Sequence, residues 1–185
     1  MSFGLPTSLN VNGKELAIRY QYTAILDIIQ AINDPELSNQ EKVFCLLYIL
    51  YEDYDELEPE DYEEAVKKAK WFMDNAIETR KTNNVKVVDF EQDAHLLFPA
   101  VNRVAGKEIR LEKDLHWWTF LGLFMEMGEC TYSTVLNIRN KRAKGKPLEK
   151  WEREFYAENK DIIDIQPRLS EEEKAAKERL NQMLM

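Results

Sequence analysis

The sequence predicts a mainly α protein: a compact multi-helix bundle with a small N-terminal β-hairpin and a C-terminal helix that extends from the body. Three observations carry this reading. Apolar residues recur at helical spacing from Tyr22 onward. Strand-type alternation is confined to residues 1–21. The composition is 44% apolar and 32% charged with only six Gly and six Pro, which suits helices better than a strand-rich fold with many turns. At 185 residues the chain makes one domain, or one domain with a tail. The expected organisation is a hairpin over 1–21 packed on the body and a helical domain over 22–165. A C-terminal helix over 166–185 would detach or join copies of the chain.

Each element has a local cause. Leu9 and Val11, then Leu16, Ile18 and Tyr20, alternate with polar residues around Asn12-Gly13, a strong hairpin-turn signal. Such a hairpin is marginal alone, so it must lie on the helical body. From Tyr22, the spacing of Ile25, Ile28, Ile29 and Ile32 predicts one buried helix face. Asn33-Asp34-Pro35 ends that helix, because the residue before Pro avoids the helical region. Ser38 and Glu41 form a capping box for a helix expected to turn Val43, Phe44, Leu46, Leu47 and Leu50 inward.

Residues 52–64 hold nine acids and no base. Asp53-x-Asp55 could begin a calcium loop, but Glu58 stands where the loop needs Gly, and Pro59 follows. The stretch reads instead as a solvated loop feeding a helix whose positive end the acids favour. That helix continues through Val66, Ala69, Phe72, Met73 and Ile77. Asp89, with Gln92 at the box position, is expected to open the next one. Its inward face is Ala94, Leu97, Phe98, Val101 and Val104, with a kink at Pro99 and a C-cap at Gly106.

Asp114–Gly128 holds two of the four Trp and no Lys or Arg. Trp117, Trp118, Phe120, Leu121, Leu123, Phe124 and Met125 go most of the way round a helix, which predicts a buried, central one capped by Asp114. Adjacent residues lie about 100° apart on a helix, so one Trp of the pair is expected to be only partly covered. Thr131 opens the next helix, with Tyr132, Val135, Leu136 and Ile138 inward and an exit through the basic run Arg139–Lys146. Pro147 restarts helix with Trp151, Phe155 and Tyr156. Ser170 and Glu173 then cap a last helix whose thin apolar stripe is Leu180, Met183 and Leu184.

Composition and spacing also exclude. Acids outnumber bases 34 to 25, a formal charge of -9, which argues against a dedicated nucleic-acid binder. The two His and two Cys lack the spacing of a metal site or a partnered nucleophile. Cys45 and Cys130 read as reduced, small hydrophobes. There is no phosphate-binding Gly loop, no signal-peptide pattern, and no apolar run of about 18 residues. The expectation is a cytoplasmic protein that is not an enzyme, with no catalytic residue, cofactor, metal or membrane partner. Partner binding remains, with Trp117, Trp118, Arg139, Lys141, Arg142, Leu180, Met183 and Leu184 as candidates. The basic run reads either as a patch for an acidic partner or as a helix C-terminus stabilised by the dipole.

Leu115-His116-Trp117-Trp118-Thr119-Phe120, with Val88-Asp89-Phe90-Glu91-Gln92-Asp93-Ala94 before it and Ile138-Arg139 after it, resembles the bacteriophage gene-product-15 family. The Asn12-Gly13-Lys14 hairpin and Trp71-Phe72 add to the likeness, which spans about residues 5–165, and Pro99 departs from it. The resemblance implies a gene in the tail region of tailed phages and prophages of Gram-positive hosts, between the major tail protein and the tape-measure protein. It therefore implies a tail assembly chaperone that shields the helical tape-measure protein in the host bacterial cytoplasm. The major tail protein and further copies of the chain are possible additional partners, nucleic acid is not expected to be one, and no catalytic residue carries over. Two other readings stay open: a structural tail or connector protein retained in the virion, and a nucleic-acid-binding or host-directed regulator using Arg139–Lys146.

Overall fold

The computed structural model describes residues 4–76 and 86–183. Among them the chain is mainly α, as its periodicity predicts. Two strands, β1 (Ser8–Val11) and β2 (Lys14–Ala17), precede the helices α1 (Tyr22–Asn33), α2 (Asn39–Leu50), α3 (Tyr62–Met73), α4 (Ala94–Ala105) and α5 (Trp117–Met125). The helices α6 (Thr131–Ala143), α7 (Lys150–Glu158), α8 (Lys160–Ile163) and α9 (Glu171–Met183) follow. The chain divides into two compact units. A hairpin unit gathers Thr7–Arg19, Ala24–Ala69 and Gln166–Met185, and a tryptophan unit holds Met1–Pro6, Tyr20–Thr23 and Lys70–Ile165.

In the hairpin unit, β1 and β2 pair antiparallel with Ser8 opposite Ala17 and Val11 opposite Lys14. Asn12 and Gly13 both take positive φ, 49° and 90°, which a tight two-residue hairpin turn requires. Leu9, Val11 and Leu16 are buried. The ladder continues beyond the strands: Ile18 bridges to Tyr51, and the Glu52 N–H donates to the Ala17 carbonyl. Arg19 then caps α2, its guanidinium donating to the carbonyls of Tyr48 (3.1 Å), Ile49 (2.9 Å) and Tyr51 (3.0 Å). A cation at these last carbonyls suits the negative end of the helix.

α1 starts and stops where the spacing predicts, with Ile25 and Ile28 buried, but Ile32 is exposed. α2 opens on the predicted capping box: the Glu41 N–H donates to Ser38 Oγ (3.3 Å) and the Ser38 N–H to the Glu41 carboxylate (2.8 Å). Its burial corrects the expectation. Leu46, Leu47 and Leu50 are inside, whereas Val43 and Phe44 are exposed. α2 is apolar on two sides, and periodicity alone does not say which side meets the core. The acidic stretch folds into two 3-10 turns, Tyr54–Glu56 and Pro59–Asp61, before α3. Ala65 and Ala69 on α3 are buried, and the expected Ile77 falls outside the described residues.

In the tryptophan unit α4 packs on α5 and α6. Asp89 does not cap α4. Its carboxylate accepts from the Glu91 and Gln92 N–H groups and closes a turn ahead of the helix, which begins at Ala94. α4 runs unbroken through Pro99 and ends at Gly106, whose φ of 68° fits a left-handed cap. Leu97 and Val101 face inward as expected, while Val104 is exposed.

α5 is shorter than expected, and its cap is His116 rather than Asp114: the Trp118 N–H donates to His116 Nδ1 at 3.0 Å. It is not buried all round. Trp117 and Phe120 are inside, Leu121, Leu123 and Phe124 are half-buried, and Met125 is exposed. Apolar character permits burial on any side, and the neighbours decide which side gets it. Cys130 caps α6 in a reciprocal box with Ser133, a pattern not read from the sequence. Glu149 and Glu152 do the same for α7. In the hairpin unit, Ser170 and Glu173 form the predicted box at α9.

Candidate partner-binding surfaces

An apolar opening lies in the hairpin unit. Gln40, Val43, Phe44 and Leu47 line it from α2, at the i, i+3, i+4, i+7 positions that a helix presents to a partner. Tyr54 and Tyr62 form the opposite wall, and the enclosed space is about 450 Å³. Phe44 and Tyr48 stack with ring centres 5.4 Å apart, and Tyr54 stands edge-on to both at 5.6 Å. The hydroxyls of Tyr54 and Tyr62 lie 3.0 Å apart, so they satisfy each other and leave the rings as apolar surface. That hydrogen bond, with desolvation and the Asp55 charge behind it, raises the Tyr54 phenol pKa. Phe44 is 50% and Tyr48 57% exposed, unusual for a contiguous aromatic cluster without a partner. The candidates read from the sequence do not include this surface. The signal was the apolar excess on α2 together with three tyrosines among or beside the acids.

The Trp pair anchors the second unit. Trp117 is buried, and its indole N–H donates to the Met73 carbonyl at 2.9 Å, so it offers no binding surface. Trp118 is the partly covered member, as the helical geometry predicts; its indole N–H donates to the Phe72 carbonyl at 2.8 Å, and Trp71 packs edge-on against it. His116 is buried beside them. Its Nδ1 accepts from Trp118 and its Nε2 lies 2.9 Å from the Pro6 carbonyl, an arrangement that requires the neutral Nε2–H tautomer. Burial lowers its pKa, partly offset by the hydrogen bond to Pro6.

The basic run is mostly committed within its own unit. Arg139 corrects the expectation most clearly, because it is buried. It pairs in bidentate fashion with Asp93 (2.7 and 2.8 Å) and donates to the carbonyls of Val87, Ile162 and Ile163. Asp93 also accepts from the Tyr132 hydroxyl (3.0 Å), whose pKa burial and the Asp93 charge push up. Lys141 donates to both oxygens of Glu152 (2.6 and 2.8 Å), which also accepts from Asn137 and the Glu149 N–H. The Lys141 hydrogen bond is the largest influence holding the Glu152 carboxyl below its ordinary pKa. Arg142 pairs with Asp164 and lies over the Tyr156 ring at 4.2 Å. Lys144 and Lys146 are left exposed.

On α9, Leu180 is exposed as the thin stripe predicts, while the Met183 side chain and Leu184 fall outside the described residues. Among the described residues no His, Cys, Asp or Glu groups assemble into a metal-sized cluster, and no helix is long and apolar enough to cross a membrane. A smaller opening of about 260 Å³ is lined by His95, Pro99, Arg103, Cys130 and Tyr132. Arg103 there donates to the carbonyls of Met127 and Glu129.

In comparisons with known proteins, the family described as Bacteriophage Gp15 protein matches residues 1–165. No curated protein and no solved structure matches the chain.

Proposed function

The chain belongs to the Bacteriophage Gp15 protein family, and from that premise we propose that it is a phage tail assembly chaperone. In this reading it binds and shields the apolar stripes of the helical tape-measure protein in the host cytoplasm during tail morphogenesis, and it performs no chemistry. The observation that carries the reading is the open aromatic face of α2 with its facing tyrosines. An exposed apolar helix stripe beside a groove suits helix-in-groove binding of a partner. The basic run favours the regulator reading less, because Arg139, Lys141 and Arg142 are held by Asp93, Glu152 and Asp164.

Co-expression tests the proposal. The tape-measure protein is expected to stay soluble and to co-purify with this chain, and a pair that never associates refutes the reading. Mass spectrometry of purified virions separates it from a structural tail or connector protein. A chaperone is absent from the finished particle, and presence at stoichiometric levels assigns the structural role instead.

A further inference from the structure

We propose that the α2 groove takes an amphipathic helix whose apolar stripe is flanked by Lys or Arg. The inference rests on the chaperone reading and adds the chemistry of the segment that is bound. Its first support is geometric. Gln40, Val43, Phe44 and Leu47 form an i, i+3, i+4, i+7 stripe, with Tyr48 beside Phe44 one turn on, and ridges of this kind pack into the grooves of a second helix. The enclosed volume, about 450 Å³, accepts a few large aliphatic side chains from such a helix rather than a single small group.

Charge is the second support. Tyr54 and Tyr62, the far wall, sit inside the stretch 52–64 with its nine acids and no base. Three of those acids already have cations: Asp61 pairs with Lys14, Glu63 with Lys67, and Glu64 with Lys67 and Lys68. Glu52, Asp53, Asp55 and Glu60 are exposed and have no ion pair among the described residues. Asp53 precedes a 3-10 turn without capping it, so its carboxylate serves no local structure. Asp53 and Asp55 stand on either side of Tyr54 in the chain and Glu60 two residues before Tyr62, and carboxylates beside an apolar wall favour an apolar stripe edged by cations. α9 of a second copy fits this charge less well, since its Glu171, Glu172, Glu173 and Glu178 outnumber its Lys174, Lys177 and Arg179.

The test uses the full chain and two fluorescein-labelled helical peptides with one Leu/Ala stripe, flanked by Lys in one and by Glu in the other. Fluorescence anisotropy is expected to show saturable binding of the Lys peptide and at least about tenfold weaker binding of the Glu peptide. The double variant Phe44→Ala/Tyr48→Ala removes exposed rings, keeps the fold by circular dichroism, and is expected to lose about tenfold in affinity for the Lys peptide. The triple variant Asp53→Asn/Asp55→Asn/Glu60→Gln is expected to weaken that binding several-fold and to flatten its salt dependence. Equal binding of the two peptides overturns the proposal, as does binding untouched by the ring variant. So does a dimer of the chain in sedimentation that the ring variant dissolves, which would assign the groove to a second copy. Co-purification of the tape-measure protein with the ring variant at wild-type yield sinks this groove while leaving the chaperone reading intact. Failure of the wild-type chain to associate sinks that reading instead.

Discussion

Replacing Asp93 with Ala isolates the most consequential polar contact in the tryptophan unit. Asp93 is buried and accepts from Arg139 Nη1 and Nη2, the Tyr132 hydroxyl and the Asp89 N–H. The variant leaves a guanidinium, itself only 7% exposed, with backbone carbonyls as its remaining partners. Stranding one charge of a buried pair costs about 3–5 kcal/mol, because the ion loses its counter-charge without regaining water. For a chain of this size that corresponds to a fall in Tm of about 6–20 °C. All four Trp lie within Lys70–Ile165, so Trp fluorescence during urea unfolding reads this unit specifically. The double variant Asp93→Leu/Arg139→Met removes both charges and should lose less than the two single variants summed, with a coupling of about 2 kcal/mol. A loss below about 1 kcal/mol for Asp93→Ala refutes the reasoning, since it would mean that water already reaches the guanidinium.

Other variants probe the remaining elements. Ser38→Ala should cost about 1 kcal/mol through the lost α2 capping box, read as a lower urea midpoint by far-UV circular dichroism. Trp117→Ala should cost about 3–5 kcal/mol and Trp118→Ala less, because only Trp117 is fully buried; equal losses would contradict the assigned burial. His116 has a folded pKa below its unfolded value, so its contribution is complete above about pH 6.5 and is lost as the pH falls through the folded pKa. The Trp-detected urea midpoint should therefore drop between about pH 7.5 and about pH 5.5, and His116→Asn should flatten that drop. An unchanged slope in the variant would assign the pH dependence to other groups.

Most of the secondary structure was legible because its causes are local. The Asn12-Gly13 turn, the end of α1 before Pro35, the boxes at Ser38 and Ser170, and the Gly106 cap each rest on residues a few positions apart. The misreadings of burial share one cause: they concern which side of a helix is covered, whereas the caps expected at Asp89 and Asp114 lie four and two residues before the actual N-caps, Asp93 and His116. Val43 and Phe44 on α2, Val104 on α4 and Met125 on α5 are as apolar as their buried neighbours, and nothing within a helical turn distinguishes them.

Arg139 shows the same division more sharply. Its place in a basic run made it look like surface, yet its counter-ion is Asp93, 46 residues earlier, and its carbonyl partners come from two further segments. The partner-binding candidates suffered accordingly. Cation and tryptophan types were visible in the chain, but whether each is spent on the fold or left for a partner depends on contacts distant in sequence. Hydrogen bonds between near neighbours set where helices begin and end, so the order of residues placed most of these ends, though not the starts of α4 and α5. The choice of which charges are neutralised inside and which aromatic rings stay open to a partner falls to long-range packing. Burial energies act on whole faces, and those faces exist only once the helices are assembled.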